Sequence, residues 1–319
     1  MRRDFPIRDP IAEFLSERPL LILDGALATE FERRGADLRD PLWSAKLLID
    51  RPELIRAVHV DYFRAGADVA TTATYQASFE GFAARGIDTD GAARLMRDAV
   101  DIARSARDSF WADEAARAGR SRPLVAASVG PYGATSGDGA EYRGRYAVSD
   151  AGLADFHRPR LAVLAGSGAD LLACETIPSL REALVLAELL QHFPDAAAWI
   201  SFSCKDDRHT CEGQDIGEAA SIVGEFPQVV AIGVNCTAPA HILPLLRRMR
   251  ERTSKPLLVY PNSGEHYDAR SKSWAGHGAT TRFAAQACEW HEAGARVIGG
   301  CCRTTPQDIR EIKAWSNAL

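Results

Sequence analysis

Long hydrophobic runs are missing from this 319-residue chain, so no segment reaches membrane-spanning length. Blocks of lysine or arginine are missing too. With a formal net charge of −5, the chain carries no electrostatic footprint for nucleic acid or an anionic membrane, which leaves a small molecule as the expected substrate. The N-terminus, MRRDFPIRDPIAEFLSERPL, is broken by charges and prolines and lacks the apolar core of a signal peptide. A cytoplasmic location is the expectation. No Pro-, Ser- or Gly-rich linker divides the chain, so residues 1–319 are expected to form one domain. No HExxH pair occurs, and no phosphate-binding glycine fingerprint follows the first apolar run. His59, His157 and His291 fall on expected helices and His209, His266 and His277 in expected loops, where ordinary structural or surface roles account for them.

What is present is a rhythm. Eight short apolar runs, each bounded by turn residues, cover 19–25, 68–76, 124–133, 170–176, 197–204, 229–236, 256–262 and 295–302. Amphipathic stretches lie between them. Leu54, Val58 and Tyr62 share one helical face, as do Leu95, Ala99, Ile102, Ala106 and Phe110, while 179–192 begins with a capping-box pattern at Ser179 and Glu182. RAGADV (64–69), GSGADL (166–171) and EAGARV (292–297) each put a glycine where a helix would end before an apolar run. Eight near-continuous strands alternating with helices call for a parallel sheet buried on both faces, closed as a (β/α)8 TIM barrel. An open doubly wound sheet is the alternative. The irregular stretch 136–150 is long enough to cover a barrel mouth.

Barrel chemistry gathers at the C-terminal ends of the strands. In this sequence those ends offer Asp24, Thr72, Thr74, Glu175, Ser203, Cys204, Asn235, Cys236, Asn262, Cys301 and Cys302. Polar residues often close strands simply because the chain meets water. The cysteines carry more information, because Cys236 and the Cys301–Cys302 pair come from two different runs and would meet on one rim. Two readings stand at this point: a zinc site of three thiolates, or buried apolar cysteines with a strained vicinal pair. Three thiolates overcompensate Zn²⁺ and disfavour water activation, but such a site can hold an incoming thiol deprotonated. Cys174, Cys204, Cys211 and Cys288 are expected to be structural. Adjacent strand residues face opposite ways, so Cys301 and Cys302 can share a metal only if the chain leaves the extended form, which Gly299 and Gly300 would ease.

The motifs DGALATE (24–30), TTATYQAS (71–78), SVGPYGA (128–134), ETIP (175–178), GVNC (233–236), YPNSGE (260–265) and GGCC (299–302) together resemble the homocysteine S-methyltransferases over essentially the whole chain. The resemblance implies a zinc-dependent barrel that methylates homocysteine to methionine. It implies Cys236, Cys301 and Cys302 as zinc ligands, Asp24 and Glu175 as partners of the homocysteine ammonium, and Thr72 and Asn235 on the substrate-binding side. Cobalamin-dependent relatives carry further modules, yet only 17 residues follow Cys302, so a small diffusible donor is expected. The motifs look most like the S-methylmethionine-using branch, with S-adenosylmethionine as a second donor. Betaine-dependent enzymes, which carry an added C-terminal segment, are an alternative. Tyr132, Glu141, Tyr142 and Tyr146 are candidates for a donor-facing wall. A zinc or thiol-redox sensor in which Cys301 and Cys302 oxidise would give Asp24 and Glu175 no role. An aldolase-type barrel would need a lysine or histidine pair closing a strand, and none does.

Overall fold

Each of the eight apolar runs supplies a strand, and all but the strand from run 170–176 are shorter than their runs. The computed structural model describes residues 7–38, 42–268, 273–275 and 283–319. In chain order the strands are β1 (Leu21–Ile22), β2 (Val69–Thr71), β3 (Leu124–Val129), β4 (Leu171–Ile177), β5 (Ala198–Phe202), β6 (Val229–Asn235), β7 (Leu257–Tyr260), β8 (His266–Asp268), β9 (Ser273–Ala275) and β10 (Ala295–Ile298). Eight of them form one sheet in the order β1-β10-β7-β6-β5-β4-β3-β2, every pairing parallel. A single parallel bridge, Leu23 to Val69, joins its edges and closes the barrel. At this seam the Asp24 N–H donates to Val69 O at 3.2 Å, and the Asp68 carboxylate accepts from Ile22 N–H at 3.1 Å in place of a ladder partner. The expected (β/α)8 barrel is therefore the observed fold.

Alternation along the strands builds two cores. Leu21, Leu23, Ala173, Trp199, Leu258 and Val297 fill the barrel interior, and Ile11 and Phe14 of the helix Pro10–Glu17 pack into the same cluster. Their neighbours Ile22, Leu172, Cys174, Ile200 and Ile298 face the surrounding helices. Cys174 is thus a buried apolar side chain of the outer layer, opposite in sense to Glu175.

Helix punctuation follows the sequence closely. Gly66, Gly168 and Gly294 all take left-handed φ, at +119°, +82° and +104°, just before a strand. Leu54, Val58 and Tyr62 are buried along Pro52–Ala65. On Thr89–Trp111 the buried face is turned slightly from the expected one: Ala99, Ala106 and Phe110 lie on it with Met96 and Ala103, while Leu95 and Ile102 sit at its edge. The capping box at Ser179 is only half formed. Ser179 Oγ accepts from Glu182 N–H at 3.2 Å, but the Glu182 carboxylate turns away to His157. Of the loop histidines, His266 lies in the antiparallel pair β8–β9 instead, and His277 is outside the described residues.

Candidate active site

Three sulfurs meet at the C-terminal rim. Cys236 follows β6 in a left-handed turn, φ +48°, its N–H donating to Tyr260 O at 3.2 Å. A non-glycine residue held there is strained, and such strain tends to be kept where a side chain must be aimed. Beyond β10 the Gly299 and Cys301 N–H groups still donate to Val259 O (3.0 Å) and Pro261 O (2.8 Å). The chain turns at Cys302–Arg303, where Thr304 N–H donates to Cys301 O at 3.0 Å, Ser263 N–H donates to Cys302 O at 3.0 Å and Arg303 takes φ +68°. Cys236 Sγ then lies 3.1 Å from Cys301 Sγ and 3.4 Å from Cys302 Sγ, with all three within 4.8 Å of one another. A tetrahedral zinc with Zn–S of about 2.3 Å sets S···S near 3.8 Å, so the trio fits zinc after small side-chain shifts. Proximity also marks the thiols: the hydrogen bond from Cys301 to Cys236, with burial, pushes the Cys301 thiol well above its usual range.

Gly299 and Gly300 permit this turn by their lack of a side chain, since neither takes a positive φ. A Cβ on Gly299 would stand 2.5 Å from Leu23 Cβ, and one on Gly300 would stand 2.2 Å from Thr304 Oγ1. Thr304 Oγ1 itself donates to Cys301 O at 2.6 Å, so the crowding falls on the cysteine turn. Gly300→Ala is expected to lower stability by about 1–3 kcal/mol and to weaken zinc retention, measurable by thermal melts with and without chelator. An unchanged metal content after dialysis against chelator would count against the clash.

A cavity of about 190 Å³ opens beside the sulfurs, walled by Asp24, Thr72, Glu141, Tyr142 and Glu175 among others. Asp24 is 4% exposed and accepts from Thr71 through both backbone N–H (2.8 Å) and hydroxyl (3.0 Å). Burial outweighs these bonds and pushes its carboxyl up to about 8. Glu175, 8% exposed, accepts from the Ser128 hydroxyl, and burial raises it to about 7 against the pull of the Ser128 and Tyr260 hydroxyls. Each is a carboxyl with hydrogen-bond support and, among the described residues, no basic side chain bonded to it. Two buried carboxyls on one cavity wall have the chemistry to pair with a cation such as an ammonium.

The remaining predicted residues divide. Thr72 lines the cavity, but its hydroxyl accepts from Ser128 N–H at 3.1 Å and bonds Thr74 Oγ1 at 2.7 Å, tying β2 to β3. Asn235, fully buried, stands behind the wall: its Oδ1 accepts from Thr176 N–H (2.7 Å) and Ser201 Oγ (2.8 Å), and its Nδ2 reaches towards Cys301 Sγ at 3.9 Å. Tyr142 lines the cavity with its hydroxyl 3.1 Å from Cys236 Sγ, and Glu141 lies beside it, raised to about 7 by burial. Tyr132 and Tyr146 do not face the cavity. They pack on each other at 5.3 Å, and Tyr132 packs on Phe156 at 5.1 Å, which corrects their place in the donor-facing wall. Residues the sequence did not single out include Thr71, Ser128, Tyr260, Tyr75 and Glu32; the first three support the two carboxylates, and Tyr75 and Glu32 line the cavity.

This constellation has counterparts. The sequence profile of the homocysteine S-methyltransferases matches residues 21–316. The chain belongs to the homocysteine S-methyltransferase family. Homocysteine S-methyltransferase YbgG of Bacillus subtilis (strain 168) is 53% identical over 311 residues, covering 98% of this chain and 99% of that one. The crystal structure of the homocysteine methyltransferase MmuM from Escherichia coli in its metallated form is 47% identical, with a TM-score of 0.87 over 96% of this chain and 99% of that one. Against the apo form of MmuM the TM-score is 0.78. A selenocysteine Se-methyltransferase of Brassica oleracea var. italica is 46% identical over 91% of this chain and 87% of that one. Homocysteine S-methyltransferases depend on zinc, and this chain's cysteine trio is a group that could hold it.

Proposed function

We propose that this homocysteine S-methyltransferase holds zinc with Cys236, Cys301 and Cys302 and takes its methyl group from a small sulfonium donor, S-methylmethionine first. The observation that carries the reading is the convergence of three sulfurs from β6 and the turn after β10 onto a cavity that Asp24 and Glu175 also wall. Cys236, Cys301 and Cys302 would hold the zinc, which when bound would keep the homocysteine sulfur deprotonated near neutral pH. Asp24 and Glu175 take the homocysteine ammonium, with Thr71, Ser128 and Tyr260 fixing the carboxylates. Thr72, on the cavity wall, and Asn235, behind it, hold the strand ends that carry these groups. The sulfur displaces the donor methyl in line: one C–S bond forms, another breaks, and the donor leaves as a neutral thioether. No general acid is needed, and catalysis lies mainly in placing the two reacting atoms together.

Charge favours a cationic donor. Among the described residues the cavity wall contains Asp24, Glu32, Glu141 and Glu175 and no lysine, arginine or histidine. S-methylmethionine and S-adenosylmethionine carry a net positive charge at neutral pH, whereas betaine carries none, so an acidic wall that includes Glu32 and Glu141, outside the Asp24–Glu175 pair, suits the sulfonium compounds better. We read the chain as one homocysteine-binding barrel domain working in the cytoplasm, a location supported by seven free cysteines. No helix among the described residues is long and apolar enough to cross a membrane. The test is methionine formation from homocysteine with S-methylmethionine, S-adenosylmethionine and betaine in parallel. Product with S-methylmethionine and none with betaine is the expected result; betaine as the preferred donor would overturn the donor assignment.

A further inference from the structure

Three ionisable side chains lie sealed beneath the cavity wall and have no part in the chemistry above: His157, Arg160 and Glu182, each at most 1% exposed. None of them lines the cavity. They stand on the helices Asp150–Ala165 and Leu180–Leu190, in the outer layer of the barrel. Arg160 donates from Nη1 to Gly130 O at 3.1 Å and from Nη2 to Tyr75 O at 3.2 Å, so one planar fork joins the segments that follow β2 and β3. Phe156 supports the guanidinium, its ring centroid 5.0 Å away. Glu182 Oε1 accepts from Tyr132 N–H and lies 2.8 Å from His157 Nε2, gripping the same segment from its other end. Gly130 fits only because it lacks a side chain: a Cβ there would stand 2.4 Å from Tyr75 O.

Both gripped segments end in the wall. Tyr75 lines the cavity, and the stretch after residue 133 brings Gly137, Gly139, Glu141 and Tyr142 to it. We propose that Arg160 is a positioning residue for methyl transfer, setting the donor-facing wall from behind by holding Tyr75 and residues 130–133 together. A buried arginine with two carbonyl partners is costly compared with an apolar side chain of similar volume, and packing alone would not call for it. What the guanidinium adds is a fixed distance between two loops. The proposal rests on the donor reading above, because it assigns this wall to the donor and the Asp24–Glu175 side to homocysteine.

The test uses the full-length zinc-loaded protein and Arg160→Lys, which keeps the charge but cannot span both carbonyls as a fork. The donor kcat/KM is expected to fall about tenfold or more, as small misplacements of reacting groups do, while zinc content and the homocysteine dissociation constant hold. Tyr75→Ala, which keeps the gripped carbonyl but removes the side chain it places in the wall, completes a double-mutant cycle: an Arg160→Lys effect that shrinks in the Tyr75→Ala background supports action through Tyr75. Fully multiplicative effects would overturn it. So would wild-type kinetics in Arg160→Lys, or equal losses of zinc, homocysteine and donor binding, which mark general destabilisation. Should Arg160→Lys fail to fold, Phe156→Leu loosens the same guanidinium and takes its place. An inactive wild type would defeat the functional reading instead. The positioning role is then decided by the crystal structure of the variant, where Tyr75 and residues 130–133 are expected to move apart and would overturn the proposal by staying in place.

Discussion

Alanine at Cys236, Cys301 or Cys302 is expected to abolish zinc retention and methyl transfer together. The three sulfurs come from two chain segments and stand within 4.8 Å, so losing any one leaves a pair, and two sulfurs cannot close the three-sided base of a tetrahedral site. Activity falls for two separable reasons. A free thiol with pKa of about 8.5 is only about 3% ionised at pH 7, a loss of about thirtyfold in nucleophile alone. The larger loss is positional, since nothing then holds the sulfur against the methyl carbon, and well-oriented reactions owe many orders of magnitude to such placement. Zinc measured per chain after gel filtration, alongside methionine formation, checks the result. A variant that sheds its zinc yet keeps full turnover would defeat the metal assignment.

Asp24→Asn and Glu175→Gln are expected to raise the homocysteine KM by about 100-fold each, the order seen when one partner of a buried charged pair is removed. Zinc content should stay at the wild-type level, which separates these variants from the cysteine ones. Their pH behaviour follows from burial. With the Asp24 carboxyl raised to about 8 and that of Glu175 to about 7, both must lose a proton before they can pair with an ammonium. Homocysteine affinity should therefore weaken as pH falls from about 8 towards 6, by up to about tenfold per unit for each group that must ionise. Glu175→Gln should flatten the part of that slope below pH 7; an unaltered slope would show that the dependence comes from elsewhere.

For the ligand-free protein the sign reverses. Asp24 is ordinarily half-protonated near pH 3.8, and its raised folded value means the folded state binds the proton more tightly between that pH and about 8. Its contribution to stability is thus lost as pH rises through the window, and ligand-free Asp24→Asn should melt higher than wild type at pH 8. The carboxylate proposed to take the substrate ammonium is one that the empty barrel would fold more easily without.

Most of this site was legible because of one regularity. Parallel barrel strands deliver their last residues to a common rim, so Asp24, Glu175, Cys236, Cys301 and Cys302 could be placed together from strand order alone. What stayed hidden depends on single-residue facing and on side-chain reach. Thr71 and Thr72 are neighbours of the same type, and pleat alternation gives the first to Asp24 and the second to Ser128. Tyr132, Tyr142 and Tyr146 look alike in sequence, but only Tyr142 turns inward, a choice made by loop packing that no periodicity encodes. Glu182 had the spacing of a capping box, yet a buried histidine 25 positions earlier captured its carboxylate. Gly299 and Gly300 were recognisable as a break in the strand, although their φ values show that room for Leu23 and Thr304 is what they provide.

The barrel closes through one bridge, Leu23 to Val69, next to a strand of only two residues. Seen as a hoop of staves, this is the thinnest joint, and Asp24 and Thr71 sit directly on it. Glu175 stands on β4, two strands beyond β2 around the circumference. On the proposed reading, an ammonium held by Asp24 and Glu175 together would act as a brace spanning the joint, so that the amino group orienting the nucleophile would also keep the hoop from springing open where it is weakest.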